Sequence, residues 1–254
     1  MTDEDEFPLT EAQAKLGELA QHLEICALAM AARVAQPSAN LSDPPVLSTL
    51  LLLRATGHFQ ALLLLTNEGF VTEVRTLTRS LVEVALFAGY LEADPSGFLA
   101  AFEADAAAAK IGQAKALMKD TRLFASVAPE SRRALNDFIK SASENKAKGI
   151  DLAAVAQKSS VGSLYLAYRV LSGDAGHVSL LSLQRHLIVD AASGEAQLDP
   201  GRDDIDEIYA SLDIAVRAFM VVCTAHSTIS GDREGNRELA GLEVRLRSLP
   251  PMVL

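Results

Sequence analysis

The chain has 254 residues, of which 49% are apolar, so a sizeable core is available to one large domain. Aromatic residues make up only 5% and Trp is absent, leaving packing to Leu, Ala and Val, a set that favours helices over strands. A formal net charge of −10 without a basic stripe argues against binding nucleic acid through its phosphates, and two isolated cysteines exclude a cysteine metal site and suit a reducing, cytoplasmic setting.

The acidic start, MTDEDEFPLT, lacks the basic region that opens a secretory signal. Thr10-Glu11 then marks a helix start, and a first helix over 10–35 stops ahead of Pro37. Residues 38–45 read as a loop, with Asp43 or Pro44 opening a second helix that runs to about Thr66. Gly69 offers a C-cap, and a third helix covers about 70–92. The short link Asn67–Gly69 makes these two an antiparallel hairpin, taken as the centre of the fold.

Further helices are predicted over about 96–120, 129–146, 151–157 and 160–172, followed by a helical piece from His177 to about Leu187. Residues 190–203 are turn-rich, with room for a hairpin-like excursion. A long helix over 204–229 carries Ile208, Leu212, Val216, Phe219 and Cys223 on one stripe. The reading is an all-α, single-domain irregular bundle of seven to nine helices over 1–231, with a charged tail over 232–254 that has room for a short helix. Segments 46–65 and 212–230 are apolar enough to suggest a membrane. Arg54 and His58 interrupt the first, and Asp213, Arg217 and His226 the second, so both read as buried helices.

Three groups of side chains are candidates for chemistry. Arg54 and His58 lie four residues apart on a helix face shared with Leu47, Leu50, Leu51 and Leu62, which makes them either a structural pair or a ligand-facing one. Arg75, Arg79 and Glu83 follow at four-residue steps in the next helix, suited equally to a solvated row and to interior bonds. Tyr165, Tyr168, Arg169, Ser172 and His177 crowd a helix end. They are the parts of acid/base work on a phosphodiester, with Arg stabilising charge, and equally the parts of a capped helix terminus. No His-x3-His or Glu-x-x-His pair pre-arranges a metal and no Gly-rich phosphate loop is present, so no metal and no cofactor is expected.

The segment around Arg79-Ser80-Leu81-Val82-Glu83, with YLAYRVLSGDAGH some 80 residues on, resembles an uncharacterised bacterial family, number 5677 among the domains of unknown function. The resemblance implies a common core over roughly 48–226 and brings no settled activity. A weaker similarity is to HEPN-type helical ribonucleases, which pair an Arg with a His four to six residues later; here seven residues separate Arg169 and His177. That similarity implies a metal-independent ribonuclease or nucleotide-directed hydrolase with His177 as acid/base, Arg169 or Arg79 holding phosphate, and Ser172 beside them.

The reading taken is a cytoplasmic binding or self-association module built around Arg79, Glu83, Tyr168, Ser172 and His177, with Arg54, His58, Arg75 and Tyr165 around them. The hydrolase is its alternative. Expected partners are a second copy of the chain, a small ligand or a protein. RNA is disfavoured by the net charge, and no membrane is expected.

Overall fold

Side-chain caps fix most helix starts. In α1 (Glu11–Ala32) the Thr10 hydroxyl accepts from the Gln13 amide at 3.2 Å, and the Gln13 side chain accepts from the Thr10 amide at 2.8 Å, which satisfies two orphan donors reciprocally. Asp94, Asp120, Asp151 and Asp204 do the same one-sidedly for α4 (Pro95–Lys119), α5 (Thr121–Ser126), α7 (Leu152–Lys158) and α10 (Ile205–Ser230). Two prolines open α2 (Pro44–Asn67), where their missing N–H groups cost nothing. Between α2 and α3 (Val71–Ala93) the chain turns at Gly69, whose φ of 71° a residue with a Cβ would adopt only under strain.

The remaining elements are α6 (Pro129–Glu144), α8 (Leu164–Asp174), α9 (Leu180–Gln184), a hairpin of β1 (Leu187–Val189) and β2 (Ala196–Leu198), and α11 (Arg233–Ser248). This computed structural model describes residues 9–34, 40–144, 148–174, 180–198 and 204–252. The fold is all-α, with eleven helices among the described residues where seven to nine were expected. Beyond the helices predicted up to residue 229 come α5 and the tail helix α11. Thr121–Ser126 is a helix of its own because Asp120 caps it, and the predicted helix up to Leu187 ends early, at Gln184. There Leu187-Ile188-Val189, rich in β-branched side chains, pairs antiparallel with Ala196–Leu198 across a turn held by Asp190.

α3 lies against α2 and along most of α10, and these three helices carry the centre of the core. Phe59 of α2 stacks on Phe219 of α10 with ring centroids 4.5 Å apart, both fully buried. By length and composition α2 and α10 could each span a bilayer; their most apolar windows are 50% and 72% buried inside the fold, as a core helix would be. Asp213 and Arg217 of α10 pair with each other at 2.9 Å. The expected tail is largely α11, which lays Leu239, Leu242 and Leu246 against α1 and α10. α8 packs on the flank of α3, the placement from which the candidate site follows.

Candidate functional site

Arg75 and Arg79 stand one turn apart on the same flank of α3. They are treated very differently. Arg75 is only 4% exposed and points to α10, where its guanidinium meets the Glu207 carboxylate at 2.7 Å. The same carboxylate takes both terminal nitrogens of Arg185, at 2.7 and 2.5 Å, in a fork-to-fork pair. Arg75, expected in an outer shell, is thus a buried charge, and Glu207 serves two arginines.

Arg79 is half-buried against α8. Its Nε donates to the Ser172 hydroxyl at 2.8 Å and its Nη2 to the Tyr168 hydroxyl at 2.8 Å. The guanidinium also lies over the Tyr168 ring, 4.7 Å from the centroid. Tyr168 and Ser172 can both reach it because they sit at i and i+4, one face of α8. Ser172 donates in turn to the Tyr168 carbonyl at 2.7 Å, which fixes its hydroxyl, and the Tyr165 ring stacks on Tyr168 at 5.9 Å. Among the described residues Arg79 makes no ion pair. Its positive charge is oriented by neutral hydroxyls and is not neutralised.

Other expected members fall elsewhere. Glu83, half-buried, does not bond Arg79; it lies near His58 of α2, close enough to pull the imidazole pKa upward. Burial is the larger influence and holds the His58 pKa below its ordinary value, with the Arg54 charge adding to the depression. The buried Nε2 of His58 has no hydrogen-bond partner among the described residues. Arg54 is exposed, a correction to its expected place in the interior. It stands at the edge of an apolar cleft of about 370 Å³ between α2 and α4, lined by Leu47, Leu51, Phe98 and Phe102. Of the leucines on the face Arg54 shares, Leu47 and Leu62 are buried but Leu50 is exposed, so Arg54 lies at the margin of the buried face. Arg169, expected to hold phosphate, is exposed on α8 and away from the cluster, since it follows Tyr168 by one residue and a helix turns about 100° per residue. His177 lies outside the described residues.

Two residues that complete the charge pattern, Glu207 and Arg185, were not singled out from sequence. Glu207 sits in the first turn of α10, where an acid has a ready local reason to be. Nothing local to Arg185, directly after α9, points to a partner on another helix. Arg75 and Arg185 thus share the Glu207 carboxylate, while Arg79, one turn of α3 away from Arg75, is held by the hydroxyls of α8. This arrangement can hold an anion. Among the described residues no group of His, Cys, Asp and Glu could hold a metal ion.

Fold and site together define an all-α protein with an arginine presented by tyrosine and serine hydroxyls at a helix junction. The chain belongs to a family of unknown function, DUF5677, whose model matches residues 46–195 and so takes in Arg75, Arg79, Tyr168, Ser172 and Arg185. The match ends before α10, short of the expected 226. No curated protein and no solved structure matches the chain, and the similarity to HEPN-type ribonucleases gains no support.

Proposed function

We propose that the protein is a binding module whose Arg79–Tyr168–Ser172 cluster takes an oxyanion group, phosphate or carboxylate, of a small ligand. The observation that carries this is the state of Arg79: two nitrogens fixed by hydroxyls at 2.8 Å and no ion pair among the described residues. An arginine serving only the fold is normally matched to an acid, as Arg75 is to Glu207. One held by neutral groups keeps its charge for an incoming anion, and its fork geometry suits bidentate oxyanion contact. Arg75, one turn away, is by contrast paired with Glu207, so Arg79 is the arginine of this flank left to neutral hydroxyls.

The hydrolase alternative asks for His177 as acid/base with Arg169 or Arg79 holding phosphate. Arg79 would serve it as well as it serves binding, but no acid/base stands beside Arg79 among the described residues, so binding is the reading taken. Thermal melts at constant ionic strength test it. Phosphate in place of chloride should raise the midpoint of the wild type and not that of Arg79→Met, since a ligand stabilises in proportion to RT ln(1 + [L]/Kd). Equal shifts in the two proteins would refute the assignment.

A further inference from the structure

The β1–β2 hairpin projects from the helical body with all six strand residues exposed. Its three pairs, Leu187 with Leu198, Ile188 with Gln197 and Val189 with Ala196, use one edge of β1. The other edge pairs with no strand among the described residues. An isolated two-stranded ribbon is marginal in water, and an open apolar edge is a template for another strand. Here the edge residues are Leu, Ile and Val, with Ile188 55% exposed, and no lysine or proline blunts them. Leu183 beside the hairpin and Leu198 on it, also exposed, widen the apolar surface.

The sequence of β1 says what fits this edge. Read around Ile188, the run His186-Leu187-Ile188-Val189-Asp190 is self-complementary. An antiparallel copy centred on that residue sets Ile188 opposite itself and Leu187 opposite Val189. It also sets His186 opposite Asp190, so an imidazole meets a carboxylate twice. A two-fold axis requires this kind of matching, the same patch serving both subunits.

We infer that the protein forms a two-fold dimer through β1, whose free edge pairs antiparallel with β1 of a second copy about Ile188 to give a four-stranded sheet. This interface is separate from the Arg79 cluster, and neither depends on the other. Residues facing each other across an antiparallel pair bring their Cβ atoms to about 4.5–5.5 Å, so a small approach reaches the roughly 3.5–4.5 Å of a disulfide.

Mild oxidation of Ile188→Cys should therefore give a covalent dimer on a non-reducing gel, against little background, because Cys26 and Cys223 are buried. Leu166→Cys on α8, at a side chain 73% exposed, is the matched control for random collision. Light scattering after size-exclusion chromatography should find a dimer for the wild type and a monomer for Ile188→Lys, with unchanged helical circular dichroism. His186→Asp, which sets acid against acid, should weaken the dimer at least tenfold, whereas His186→Arg should not. A monomeric wild type, a dimer indifferent to Ile188→Lys, or cross-linking no faster than at Leu166→Cys would each overturn the inference, including the case in which a different protein covers the edge.

Discussion

Glu207→Gln is the most revealing single change to the frame of the site. The carboxylate lies between Arg75, whose side chain is 5% exposed, and Arg185, whose side chain is 25% exposed. Neutralising it takes from the buried Arg75 the carboxylate it meets at 2.7 Å, a loss of about 3–5 kcal/mol on the scale of breaking a buried pair. Arg75→Met is milder. It removes the buried charge itself, while Glu207 keeps its paired nitrogens on Arg185, so the loss is that of a charged hydrogen bond, about 1.5–3 kcal/mol. The double variant should recover part of the Glu207→Gln loss, because the buried guanidinium that relied on this carboxylate is gone as well. Urea unfolding followed by circular dichroism reads all three. At a slope of about 3 kcal/mol/M, Glu207→Gln moves the midpoint down by about 1 M or more, at unchanged slope. If Arg75→Met costs as much as Glu207→Gln, or the two losses simply add, the shared-carboxylate reasoning is wrong.

Arg79→Met should cost no more than about 1–2 kcal/mol in the same assay, because the partners it leaves are neutral hydroxyls, one of them still bonded to a carbonyl; a loss of about 4 kcal/mol would show a structural role instead. His226, buried with its Nδ1 3.1 Å from the Ser48 hydroxyl and its pKa held down chiefly by burial, makes stability sensitive to acid. The unfolded imidazole protonates near pH 6.5 and the folded one only below that, so stability is present above about pH 6.5 and falls as the pH drops further. His58, depressed for the same first reason, adds to the slope, and His226→Asn combined with His58→Gln should flatten the midpoint between pH 7.5 and 5.5. Phe219→Ala removes the ring stacked on Phe59 and should cost about 3–5 kcal/mol, measurable as a lower midpoint with anion binding retained.

What was readable from sequence followed from local rules. Thr10, Pro44, Gly69 and Asp204 mark helix ends because capping and turn geometry act within a few residues. Tyr168 and Ser172 could be paired on one face of α8 by their spacing alone. The placement of Arg54 was not readable, because α2 is apolar on every side and a helical wheel then cannot say which face is buried. Nor was the division between Arg75 and Arg79. The two look alike in sequence, and only the far-separated Glu207, brought in by α10, gives one of them a carboxylate and leaves the other to hydroxyls.

Isothermal titration of inorganic phosphate into the wild type and into Arg79→Met, at low ionic strength, addresses the anion-binding role directly. The expected result is a saturable one-to-one isotherm for the wild type that is lost in Arg79→Met while the variant keeps its fold. No saturable heat with the wild type, or the same isotherm from both proteins, would contradict it.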